Sequence, residues 1–211
     1  MTDRPHITLT DREQPVLLAW PTPGNPGGFV QFEKAADWRR FVEGLGIDAR
    51  IPDIVRAKFA RAQTLYLLAW ADFGVVKAGE FAALVALELA VMDRYGARVS
   101  KSKRSFAALL KFMVASDGLT DAQIPMVTRC GGTAIGQLTG DTRPTLAERR
   151  NTLAHGDPFE GLPTGGLLEL VRDLINFAYR DYVAEAPRSE FLVSTVMSTT
   201  DFFGATKWVE S

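Results

Sequence analysis

From Pro52 onward, apolar residues recur three and four positions apart through most of the chain, a period that suits packed helices and little else. Pro52 suits a first helical turn, and Ile54, Phe59, Ala62, Leu65, Tyr66 and Ala69 follow on one stripe. Gly74 predicts a break. A second helix is expected from Val75 to Tyr95, with Phe81, Leu84, Val85, Val91 and Tyr95 facing inward and Gly96 closing it. Ser102 or Ser105 would cap a third helix that carries Phe106, Leu109, Leu110 and Met113. Between Ser116 and Thr142, Gly118, Pro125, Gly131, Gly132, Gly136 and Gly140 break the pattern, which predicts loop with one short helix at most. A last helix is expected from near Thr164, burying Leu167, Leu168, Val171, Leu174, Ile175, Ala178 and Tyr182.

The first residues have another texture. Val16-Leu17-Leu18-Ala19-Trp20 and Phe29-Val30-Gln31-Phe32 are strand-like, and Pro21 to Gly28 between them is dense in turn formers. Ala35 to Glu43 reads as a short helix stopped by Gly44 and Gly46. After Pro187, the run Phe191 to Met197 is β-prone and suited to pairing with the N-terminal strands. The expectation is therefore a mainly α chain: an accessory segment over 1–46, a bundle of four to five helices over 47–186, and a tail over 187–211 that adds to a small β accessory.

Composition bounds the partners. With 46% apolar and 10% aromatic residues in 211, one sizeable core is expected. Lys plus Arg total 24 against 25 Asp plus Glu, so an anionic partner would have to be met by a local patch. The single cysteine, Cys130, excludes an internal disulfide, and two histidines make a zinc or other metal site unexpected. Cys130 to Gly136 is glycine-rich but lacks the lysine and spacing of a phosphate-binding loop, so it reads as a flexible connection and no cofactor is expected. No basic start precedes an apolar run, and no apolar stretch reaches membrane-spanning length; the expectation is a cytoplasmic protein with no membrane partner.

One segment concentrates chemistry: Arg149-Arg150-Asn151-Thr152-Leu153-Ala154-His155-Gly156. Thr145 and Glu148 have the spacing of a capping box that starts its helix, and Gly156 followed by Pro158 ends it. Successive helical residues turn by about 100°, so Leu146 and Leu153 share the core direction while Asn151 and His155 share an outward one. Arg150 lies at the side, within reach of both. An imidazole behind an arginine suits work on a phosphate, the ring moving a proton and the guanidinium holding charge. A histidine before a glycine is also a common helix cap, and spacing alone leaves both open. The other histidine, His6, sits in the N-terminal tail.

The pattern Arg-Asn-x-x-Ala-His-Gly resembles the signature of the HEPN superfamily, over roughly Pro52 to Ala184, and Ala83 to Ala90 is similar to the second helix of its bacterial members. The resemblance implies a HEPN-like helical bundle acting as a homodimer whose two motifs line one cleft. It implies a metal-independent endoribonuclease, in which the ribose 2′-hydroxyl attacks the adjacent phosphorus to leave a 2′,3′-cyclic phosphate. On that reading His155 shuttles the proton, Arg150 stabilises the phosphorane and Asn151 orients the phosphate. A toxin–antitoxin or phage-defence role would follow, with an antitoxin or neighbouring-gene protein as partner. Residues 1–46 and the tail match nothing in the family.

Glu88 falls on the apolar stripe of the second helix, and burying it alone would cost several kcal/mol. Either Arg149 or Arg150 pairs with it, or it sits at the stripe's edge and reaches water. Arg98, Lys101, Lys103, Arg104 and Lys111 lie in an acid-free window from Ala97 to Phe112, which reads as an RNA-backbone strip or as a solvated turn and helix start. The rivals to the nuclease are a non-catalytic HEPN module binding nucleotides or a protein, and a helical scaffold whose hairpin docks a partner.

Overall fold

The structure is a computed structural model that describes residues 7–156 and 162–185. Its elements are β1 (Val16–Ala19), β2 (Phe29–Phe32), α1 (Ala35–Glu43), α2 (Asp53–Leu68), α3 (Val76–Tyr95), α4 (Phe106–Asp117), α5 (Pro125–Cys130), α6 (Ile135–Thr139), α7 (Leu146–Ala154), α8 (Leu167–Ala178) and α9 (Arg180–Glu185). The chain is mainly helical with a small antiparallel sheet. No helix among the described residues is long and apolar enough to cross a membrane.

The hairpin pairs Val16 with Phe32 and Ala19 with Phe29. Strand alternation sends Val16 and Leu18 inward and leaves Leu17 exposed. Helix α1 buries Ala35, Trp38 and Val42, and the Trp38 indole donates to the backbone oxygen of Tyr66 on α2 at 2.9 Å. Trp20, Phe32, Trp38 and Phe41 interlock, with Trp20 and Phe41 edge-to-face at 4.9 Å between centroids and Phe32 and Trp38 at 5.0 Å. A fully buried large side chain contributes about 2–3 kcal/mol, so this cluster binds residues 16–43 firmly to the helices. One hydrophobic core runs without interruption from Val16 to Tyr179.

Helix α3 is the hub, packing against α2, α4, α7 and α8. Being surrounded, it buries more than one stripe: Ala83, Leu84, Ala86, Leu87, Ala90 and Val91 are all inside. Ser105, not Ser102, caps α4, its hydroxyl accepting the Ala108 N–H at 3.3 Å. Tyr95, Arg98 and Arg180 converge on Asp117 at the end of α4 and tie α3 and α9 to it.

Several expectations need correction. Ile54 lies in the first turn of α2 with 60% of its surface exposed, because the buried stripe runs through Val55, Phe59 and Ala62 and leaves position 54 on the outer face. Tyr182 is exposed rather than buried, since α8 ends at Ala178 and Tyr182 falls in the separate short helix α9, none of whose residues is buried. The stretch 116–142 holds two short helices, α5 and α6, which tertiary contacts hold despite the glycines; Pro125 occupies the first turn of α5. The glycine-rich segment after Cys130 is clamped, not loose. Asp121 accepts the Thr133 hydroxyl at 2.6 Å and the N–H groups of Ala134 and Ile135 at 2.8 and 3.1 Å. The β-prone run Phe191 to Met197 and His6 lie outside the described residues.

Candidate functional site

Helix α7 starts at the expected capping box. The Thr145 hydroxyl accepts from the Glu148 N–H at 3.1 Å, and the Glu148 carboxylate accepts from the Thr145 N–H at 2.9 Å. Leu146 is fully buried and Leu153 packs against the core, which by rotation leaves Asn151 and His155 exposed. Gly156, at φ +73°, takes the left-handed conformation that ends the helix.

Arg150 joins three elements of the motif. Its Nε and Nη2 donate to Glu88 Oε2 on α3 at 2.9 and 2.8 Å, and its Nη1 donates to Asn151 Oδ1 at 3.1 Å. The side chains of Arg150 and Glu88 keep 31% and 28% of their surface. Glu88 is thus paired with Arg150, not Arg149, while still reaching water. The pairing holds the guanidinium against the surface of the bundle, and Asn151 is oriented by it in turn. His155 joins through the backbone: its N–H donates to the Asn151 carbonyl at 3.0 Å. Among the described residues no side-chain hydrogen bond links His155 to Arg150.

Arg149 points to the other side of α7. Its Nη1 donates to the Thr164 hydroxyl at 3.1 Å, and it lines a cavity of about 140 Å3 with Lys77, Glu80, Thr152 and Thr164. Burial makes Arg149 less basic than usual, opposed by the charge of nearby Glu80. Glu80 is 1% exposed, accepts the Thr164 N–H and faces Lys77 Nζ at 3.5 Å. Burial pushes its carboxyl above the usual range, with Lys77 and the Thr164 N–H pulling back. The sequence reading missed Glu80, although its position carried the same signal as Glu88: it lies four before Leu84, as Glu88 lies four after. So Arg149 and Glu80 hold the segment that follows the motif, while Arg150 and Glu88 hold its outward face.

The basic window divides. Arg98 is committed within the chain: it pairs with Asp117 at 3.4 Å and sits over Tyr95 and Phe112 at 5.5 and 5.1 Å. Arg104 is half-buried, and its Nε has no hydrogen-bond partner among the described residues. Lys101, Lys103 and Lys111 are exposed, the first two in a short 3-10 turn and the third on α4, a helix that packs on α7.

A guanidinium held by a carboxylate, a carboxamide and an exposed imidazole can bind a phosphate diester, offset charge on its oxygens and move one proton. Compared with family models, curated proteins and solved structures, the chain matches none.

Proposed function

We propose that the chain is a HEPN-type helical domain that cleaves RNA as a homodimer without metal, in a toxin–antitoxin or phage-defence role. The observation that carries this reading is the network on the outer face of α7, where Glu88 fixes Arg150 and Arg150 fixes Asn151 one turn before the exposed His155.

The chemistry follows from those groups. The ribose 2′-hydroxyl attacks phosphorus, the bond to the 5′-oxygen breaks, and a 2′,3′-cyclic phosphate and a 5′-hydroxyl remain. Two proton transfers are needed, one from the nucleophile and one to the leaving oxygen, and His155 supplies an imidazole for one of them. A second copy of α7 facing the first supplies the other. Arg150 offsets the charge on the non-bridging oxygens, and Asn151 orients the phosphate. Exposed Lys101, Lys103 and Lys111 would guide the backbone, with half-buried Arg104 beside them and Arg98 held by Asp117.

A second reading rests on the same network. Nε, Nη1 and Nη2 of Arg150 already hold protein acceptors, which suits a structural clasp in a non-catalytic module binding nucleotides or a protein. The two separate cleanly. Single-stranded RNA incubated with the parent in the presence of a chelator should yield fragments ending in 2′,3′-cyclic phosphate. His155→Ala and Arg150→Ala should each lower the rate at least about a hundredfold, the scale of one acid–base group. A parent that never cuts, or variants that cut equally fast, would refute the nuclease. Sedimentation showing a monomer at micromolar concentration would refute the composite site.

A further inference from the structure

A cavity of about 420 Å3 lies between the β-hairpin, α1, α5 and α8, away from the motif, and its volume falls in the range of small-molecule sites. Trp20, Val30 and Phe41 give it an apolar wall, and Arg40, Arg129 and Arg172 give it three guanidinium groups. Glu169, only 2% exposed, organises the charged part. Its Oε1 accepts from Arg129 Nη1 at 2.8 Å and Arg172 Nη2 at 3.0 Å; its Oε2 accepts from Arg129 Nη2 at 2.9 Å and the Trp20 indole at 3.0 Å. A carboxylate has about four acceptor sites, so Glu169 is saturated and has nothing left for a ligand's donors or for a cation.

The second acid is committed as well. Asp173 Oδ1 takes Arg172 at 2.7 Å and Oδ2 takes the Met126 N–H at 2.8 Å. Among the described residues, the network uses Nε and Nη2 of Arg172 and not its Nη1. Arg40, at the rim, is 81% exposed and spends only Nη1 on Asp37, across 3.2 Å of solvent-screened surface. What the pocket still offers is therefore unspent guanidinium N–H donors beside an apolar wall, the three cationic groups being balanced by Glu169, Asp173 and Asp37. The hairpin, which contributes Trp20 and Val30, acquires a purpose by this: it completes the site.

We propose that this cavity binds a small anion built on a flat ring, with its phosphate or carboxylate on Arg172 and Arg40 and its ring against the partly exposed Val30 and Phe41, which the buried Trp20 backs. The proposal is independent of RNA cleavage. Isothermal titration of the full chain with AMP, phenyl phosphate and indole-3-acetate should give one saturable site for at least one of them. That ligand should bind at least about tenfold more tightly than its own halves: adenosine or inorganic phosphate for AMP, phenol or inorganic phosphate for phenyl phosphate, indole or acetate for indole-3-acetate. Binding of the phosphates alone would identify a phosphomonoester as the natural group, and binding of indole-3-acetate alone would identify a carboxylate. Arg40→Glu, outside the Glu169 network and exposed, should weaken binding about tenfold or more, and Val30→Trp should weaken it by taking the place of the ligand's ring. The proposal is overturned if none of the three compounds gives a saturable signal. It is equally overturned if adenosine binds as well as AMP, or if a folded Arg40→Glu variant titrates like the parent.

Discussion

Glu169→Ala tests how strongly the N-terminal hairpin is fastened to the bundle. The substitution removes four hydrogen bonds at once, three of them from guanidinium groups. Breaking a buried ion pair by deleting one partner costs about 3–5 kcal/mol. The low end applies here, because the Arg129 side chain is 43% exposed and can turn to water. Arg172, at 17%, and the Trp20 indole, in a residue 3% exposed, cannot do so readily. A loss of about 3 kcal/mol at neutral pH is expected, or roughly 6–12 °C in Tm for a domain of this size. Urea unfolding followed by tryptophan fluorescence measures it.

The pH dependence supplies a second readout. Burial alone would raise the Glu169 carboxyl, but Arg129, Arg172 and the Trp20 N–H outweigh it and hold it below the usual range. A depressed acid contributes stability that is present above its unfolded value, near 4.5, and is lost as pH falls through the folded one. The gap between parent and variant should therefore narrow as the solution is acidified below pH 4.5. A double-mutant cycle with Trp20→Phe should give a coupling of about 1 kcal/mol, from the one indole bond the two share. A loss below about 1 kcal/mol at pH 7, or a gap that widens in acid, would refute the reasoning.

Other perturbations act on α3. A Cβ at Gly79 would stand 2.7 Å from Tyr66 Cδ2 and 3.0 Å from Cε2, and Tyr66 is 1% exposed with nowhere to move. Overpacking costs about 1–3 kcal/mol against about 1 kcal/mol gained in helix propensity, so Gly79→Ala should lower stability by up to about 2 kcal/mol. An equal or higher Tm would contradict that close approach. Glu80 has the opposite sign from Glu169: its raised folded value makes its contribution present in acid and lost as pH rises, a cost at neutrality. Glu80→Gln keeps an acceptor for the Thr164 N–H and should melt above the parent at pH 7, the advantage vanishing near pH 4. A variant less stable at pH 7 would show that the charged pair with Lys77 carries the site.

Local rules made some parts of the molecule legible from residues alone. Strands β1 and β2, helix α1 and the long helices α2, α3, α4 and α8 follow from period and from proline and glycine placement, because amphipathicity is a local property read in one dimension. The capping box of Thr145 and Glu148 and the left-handed Gly156 likewise needed only their neighbours in sequence. So did the outward direction of Asn151 and His155, which follows from helical rotation once Leu146 is inside.

Tertiary packing decided what those rules could not reach. Whether Glu88 met Arg149 or Arg150 depended on how α7 lies across α3, a distance of 62 residues in sequence. The short helices α5 and α6 persist because Asp121 and Asp173 capture their amides from elsewhere in the fold, against the local preference of a glycine-rich chain. Glu169 and Trp20 stand 149 residues apart, and no period in either segment announces that they meet. Ion pairs and cavities are made by elements that converge in space, so the sequence named the helices and only their packing placed the charges.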